Sequence, residues 1–155
     1  MNKINEGEIA PDFSGKDQNG NTVSLDQFRG RKLVLFFYPK DDTPGCTAEA
    51  CNLRDNYDVL LNKGIHVVGV SADSETKHQK FVNKYDLPFP LIADTEKAVI
   101  NAFGVWGEKK FMGRVYDGIH RVTYVINEQG EVIKRFDKVK TKAHSEEILE
   151  ALQMN

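Results

Sequence analysis

The sequence predicts an α/β fold: a mixed central sheet flanked by helices on both faces, with a short N-terminal β-hairpin added in front. Three observations carry this reading. Apolar runs and helix-period segments alternate from Leu33 to about Phe103, the order expected when parallel strands are joined by helices. A late hairpin pattern, Val122–Ile126 and 131–136 around Asn127-Glu128-Gln129-Gly130, adds antiparallel strands. Near the start, Asn19-Gly20 is a strong hairpin turn signal between two short extended segments.

The elements follow in order. Ala10-Pro11-Asp12-Phe13 leads into the turn region 17–21, and 24–30 reads as a short helical turn stopped by Gly30. Lys32 to Tyr38 is a continuous run of β-forming residues, a central buried strand. From about Cys46 to Lys63, Ala50, Leu53, Tyr57 and Leu60 recur three and four apart, the apolar stripe of a helix, with Gly64 as its stop. Cys46 shares the face of Ala50, while Cys51 lies to one side, toward the polar Arg54–Asp58 edge.

Ile65 to Val70 is a second apolar strand. A helix starts near Ser74, aligns Phe81, Val82 and Tyr85, and ends at Leu87-Pro88-Phe89-Pro90, because proline does not continue a helix. Leu91 to Asp94 reads as a short strand, and Thr95 to Phe103 as a helix closed by Gly104. Residues 105–118 read as a long loop or ragged turn. The tail from about Ser145 to Gln153 is an amphipathic helix with Ile148, Leu149 and Leu152 toward the core.

The bulk numbers narrow the classes. A chain of 155 residues fits one domain, 1–155, large enough to bury a core. A net charge of −2 argues against electrostatic docking on nucleic acid or an anionic membrane. Leu33 to Tyr38, the longest apolar run, is far short of the roughly 18 residues of a spanning helix. Met1 to Glu6 shows no apolar signal region, so the expected compartment is the cytoplasm. A cysteine pair in a reducing compartment is more often catalytic or sensing than structural.

The two cysteines, Cys46 and Cys51, are where chemistry is expected. Cys46 follows the polar turn Thr43-Pro44-Gly45 and sits at the start of its helix. Free N–H groups and the positive end of the macrodipole stabilise a thiolate there, and the thiolate is the nucleophile. In an intact helix, five residues separate the sulfurs by about 7.5 Å of rise and about 140° of direction. A disulfide needs Cα atoms within about 7 Å and converging Cβ vectors. If these cysteines pair, the helix start must unwind. The bland alternative, two cysteines filling space, fits poorly with so polar an approach loop.

The pattern Pro39-x-x-x-Thr43-x-x-Cys46 resembles the peroxiredoxin signature. Cys51, the stretch from Val105-Trp106-Gly107 to Arg114, and Gly118-Ile119-His120-Arg121 resemble its peroxiredoxin Q branch, also called the bacterioferritin comigratory protein family. The resemblance covers nearly the whole chain and implies a thioredoxin-like fold. It also implies a thiol-dependent peroxidase with Cys46 as peroxidatic nucleophile and Cys51 as resolving cysteine, the two closing a disulfide. Thioredoxin or a glutaredoxin would reduce that disulfide.

The resemblance assigns Thr43 and Arg121 to the reacting centre and gives Pro39 a shielding role. Pattern alone reads Thr43 equally as a helix cap, Arg121 as a surface arginine and Pro39 as a strand terminator. Glu49 is a possible partner of an arginine, or simply favourable acid in a first helical turn. Trp106, Phe111 and Met112 read as ordinary packing, or as an apolar rim for organic hydroperoxides. No metal or organic cofactor is expected, and the resemblance implies a monomer rather than an obligate oligomer.

A disulfide exchanger would want C-x-x-C, and a copper or zinc carrier more ligands than two sulfurs. A peroxide sensor shares the first chemical steps and stays open.

Overall fold

The computed structural model describes residues 1–153. Its centre is a five-stranded sheet in the order β5-β4-β3-β8-β9. Strands β3 (Lys32–Phe37), β4 (Ile65–Ser71) and β5 (Leu91–Ala93) run parallel, while β8 (Val122–Ile126) and β9 (Val132–Phe136) join antiparallel. The expected mixed sheet is present, as is the N-terminal hairpin of β1 (Ser14–Lys16) and β2 (Thr22–Ser24). In that hairpin Asp17 Oδ1 accepts from the N–H groups of Asn19 and Asn21, and Gly20 takes φ 76°, so the side chain builds the turn.

β3 serves both layers of the protein. Leu33, Leu35 and Phe37 point into one core with the N-terminal hairpin and α4 (Ala98–Ala102). Val34, Phe36 and Tyr38 point into the other, with α1 (Pro44–Asp55), α2 (Tyr57–Asn62), α3 (Glu75–Tyr85) and α5 (His144–Ala151). This two-residue alternation lets a strand with no polar face lie between two apolar layers. The parallel pairs β3–β4 and β4–β5 need crossovers, and α1 with α2, then α3, supply them.

Three boundaries differ from expectation. The single helix over 46–63 is two helices. Asn56 Nδ2 donates to the Asn52 carbonyl at 2.9 Å, taking the place of a backbone donor, and the axis breaks there. The helix expected from Thr95 begins at Ala98. Residues 94–97 form a turn, with Lys97 at φ 61° and Asp94 Oδ2 accepting from the Ile100 N–H at 2.7 Å.

The region 105–118, expected as a loop, is instead a regular hairpin of β6 (Trp106–Phe111) and β7 (Arg114–Ile119). Its two-residue turn places Met112 at φ 51° and Gly113 at φ 79°, the paired left-handed residues that match strand twist. Phe111 and Met112 are 65% and 87% exposed, so neither packs as expected. Trp106 does pack, against the first core and under Lys97 Nζ at 4.8 Å from its ring. No helix among the described residues is long and apolar enough to cross a membrane.

Candidate active site

β3 ends where its hydrogen-bond ladder runs out of donors. Tyr38 N–H still bonds the Val70 carbonyl at 3.1 Å, but Pro39 has no N–H to continue. The chain turns through 39–43 and enters α1 with Thr43 at the N-cap and Pro44 in the first helical position, where a missing donor costs nothing. Cys46 is the third residue of α1, still within the first turn whose N–H groups lack helical acceptors.

Cys46 is more enclosed than its polar approach suggests: it is 1% exposed, in the core with Tyr38, Ala50 and Leu53. It is not sealed in hydrocarbon. Arg121, in the link between β7 and β8, donates from Nη2 to Cys46 Sγ at 3.3 Å and from Nη1 to Glu49 Oε1 at 2.6 Å. Burial acts against the charge of Arg121, but the Glu49 carboxylate and the Cys46 sulfur more than offset this and hold the guanidinium charged.

Gly45 makes the approach possible. A Cβ there would lie 3.1 Å from Arg121 Nη2. A glycine in the first turn of a helix is a signal the sequence offered for a close approach.

Glu49 has no exposed surface. Burial pushes its carboxyl up, the charge and hydrogen bond of Arg121 pull it back, and the net value is about 7. Its Oε2 is the one buried side-chain polar atom among the described residues with no hydrogen-bond partner. His144 Nε2 lies 3.7 Å from it. That ring is itself buried between Glu147 Oε1 at 2.7 Å and Thr123 Oγ1 at 2.8 Å, and burial pushes its pKa down.

Glu49 follows Cys46 by three and precedes Leu53 by four, which puts it on the buried stripe; that spacing was the available signal. Nothing local pointed to His144 or Thr123, which come from other elements.

Cys51 lies in the same unbroken helix as Cys46, half-buried, and both thiols are free. Burial pushes the Cys51 thiol up, Arg54 pulls it back and Asp55 pushes it up again, so in the folded helix Cys51 is a poor nucleophile.

Thr43 is the N-cap residue by backbone, yet its side chain does not cap: the hydroxyl donates to the Lys40 carbonyl at 2.8 Å. Its oxygen remains able to accept a hydrogen bond from a ligand. Pro39 is partly exposed at the head of the same loop.

The loop is anchored away from α1. Asp41 Oδ1 accepts from Tyr38 Oη and Asp41 Oδ2 pairs with His78 Nδ1, both at 2.6 Å, while the Asp41 N–H donates to Asp73 Oδ2 at 2.9 Å. Burial, then the Asp41 charge, push the Tyr38 phenol well up, so it remains a donor. His78 Nε2 faces the Ile92 carbonyl at 2.9 Å, which can only accept. That nitrogen therefore carries the ring proton.

Asp41, Asp73 and His78 bring ligand-type atoms within 4.8 Å of one another. Those atoms are committed to Tyr38, Ser71 and each other, and the adjoining cavity sets Lys40, Lys77, Lys80 and Lys84 against Asp41, Asp42 and Asp73.

Known proteins resemble this chain over nearly its whole length. Residues 7–135 match the model of the AhpC/TSA family. Peroxiredoxin Bcp of Escherichia coli is 46% identical, the alignment covering 99% of this chain and 98% of that one.

The chain belongs to the AhpC/TSA peroxiredoxins.

Among solved structures, a cysteine-to-serine variant of Xylella fastidiosa PrxQ superposes with a TM-score of 0.90 at 29% identity, over 99% of this chain and 98% of that one. The Xanthomonas campestris bacterioferritin comigratory protein superposes at 0.84 with 34% identity, over 91% and 90%. It was solved as a trapped intermediate/ligand complex bearing on its alkyl peroxide reduction activity. The thioredoxin-like fold is thus that of this peroxiredoxin too, and its activity is that of a thiol-dependent peroxidase.

Proposed function

We propose that this peroxiredoxin reduces hydrogen peroxide and organic hydroperoxides through a Cys46 sulfenic acid and a Cys46–Cys51 disulfide. One observation carries the reading: Arg121 Nη2 stands 3.3 Å from Cys46 Sγ at the first turn of α1. The Cys46 thiolate attacks the terminal oxygen of R–O–O–H. The S–O bond forms, the O–O bond breaks, and the alkoxide or hydroxide takes a proton and leaves as alcohol or water. Negative charge spreads over sulfur and both oxygens as this happens. The fixed guanidinium and the helix N–H groups face that charge without having to reorganise. Thr43 Oγ1 accepts from the hydroperoxide O–H and orients it, and Pro39 shields the pocket at the loop head.

Cys51 then attacks the sulfenic sulfur: the S–S bond forms, the S–O bond breaks, and hydroxide leaves as water once protonated. Both thiols lie in the helix Pro44–Asp55, five residues apart, so this step requires α1 to open at its start. A dithiol of the thioredoxin or glutaredoxin class reduces the disulfide by exchange. The setting is a reducing cytoplasm, with the protein acting as a monomer.

The test is peroxide turnover with thioredoxin, its reductase and NADPH. Wild type should cycle, Cys46→Ser should not react, and Cys51→Ser should consume about one equivalent and stall. Normal cycling by the Cys51 variant would remove Cys51 from the scheme.

A further inference from the structure

Among the described residues, every hydrogen bond between α1 and α5 involves Asn52. Asn52 Nδ2 donates to the Lys142 carbonyl at 3.0 Å and to Glu146 Oε2 at 3.3 Å. Asn52 Oδ1 accepts from the Ser145 N–H at 2.7 Å, and Ser145 Oγ shares its proton between that oxygen at 2.7 Å and the Asn52 carbonyl at 3.1 Å. Ala143, at the head of α5, makes no side-chain capping bond. Asn52 therefore caps α5 from another helix, satisfying a first-turn N–H that would otherwise lack an acceptor.

Asn52 immediately follows Cys51. The stretch 46–51 must unwind for a disulfide to close, and the described contacts grip it on both sides of Cys51: Arg121 holds Cys46 and Glu49, and α5 holds Asn52. We propose that Asn52 is a latch governing how readily α1 opens, and so a positioning residue for the resolving step. This rests on the Cys46–Cys51 reading above.

The peroxide step proceeds with α1 folded and does not involve Asn52. The resolving step draws on the small population in which α1 has opened. Each side-chain hydrogen bond surrendered on opening shifts that population by roughly two- to tenfold. A latch that delays Cys51 also lengthens the life of the sulfenic acid. A second peroxide can then oxidise it to sulfinic acid, the peroxide oxygen adding to sulfur as water or alcohol leaves.

The experiment compares wild type, Asn52→Ala and Ser145→Ala in single turnover. Samples are quenched at intervals and Cys46 is scored by mass spectrometry as thiol, trapped sulfenic acid, sulfinic acid or disulfide. The expected result is equal loss of thiol in all three. Disulfide should appear about tenfold faster in Asn52→Ala and a few-fold faster in Ser145→Ala, with less sulfinic acid at high peroxide.

A purely structural role would slow thiol loss and disulfide formation together, and that result overturns the latch. Equal or slower disulfide formation in both variants also overturns it. If Asn52→Ala does not fold, Ser145→Ala decides alone. Wild type halting at sulfenic acid would instead remove the Cys51 reading, and the latch with it.

Discussion

Replacing Glu49 by glutamine removes a proton site while nearly preserving shape, and its effect can be worked out beforehand. Folding raises this carboxyl from 4.5 to about 7, chiefly by burial. A group raised in this way binds its proton more tightly in the folded chain, so it stabilises the fold in acid. The contribution is complete below 4.5 and is lost as pH rises through about 7. That interval corresponds to roughly 3 kcal/mol.

Urea denaturation of the reduced wild type and of Glu49→Gln, at closely spaced pH across this window, gives the difference directly. The wild-type advantage should shrink by about 3 kcal/mol between pH 4.5 and 7 and then level off. His144 acts with the opposite sign. Its pKa is lowered by burial, so its stability is present above its ordinary value and lost as pH falls, in both chains alike. It therefore nearly cancels in the difference. A flat difference would mean that Glu49 stays ionised throughout, with the Arg121 pair outweighing burial, and the reasoning would fail.

Other consequences can be measured on the same protein. Arg121→Ala loses the donor at 3.3 Å from sulfur and should slow the peroxide step by about 10²–10³ in stopped flow; a loss under about threefold would place the guanidinium outside the chemistry. Gly45→Ala puts a methyl 3.1 Å from Arg121 Nη2 in a helix that otherwise favours alanine. Reaction with peroxide should fall about tenfold while Tm holds or rises; an unchanged rate would show that the approach tolerates a methyl. Amide exchange over 46–55 should speed up sharply on oxidation while β3 and β4 stay protected, and unchanged protection in α1 would rule out its opening.

The central sheet was legible because its strands are short, continuous apolar runs, and β3 in particular admits no other period. The β6–β7 hairpin was not. Glu108, Lys109 and Lys110 hide any alternation, and its turn uses Met112 with Gly113 where Asn-Gly would have announced it. The break at Asn56 was hidden because Leu53, Tyr57 and Leu60 keep helical spacing across it, and only a side-chain bond to Asn52 reveals it. In the site, Cys46 and Cys51 were legible from position alone. Arg121 came only from resemblance, since one arginine before a strand looks like any other. The contact of Glu49 with His144 depends on how α5 lies across α1, and no local pattern encodes that.

The loop 39–43 is moored to the sheet and to α3, through Asp41 with Tyr38 and His78, and through Asp42 with Lys84 and Tyr85. Starting a helix from loose chain is unfavourable by a factor on the order of 10⁻³, because three residues must be ordered before the first bond rewards them. Here the acceptor of that first bond, the Thr43 carbonyl that takes the Thr47 N–H at 2.8 Å, belongs to a segment that need not melt. In the disulfide cycle proposed above, α1 would regrow against a standing seed once the bond is cut, at about nanoseconds per residue, so the return to the reactive form should never be the slow step.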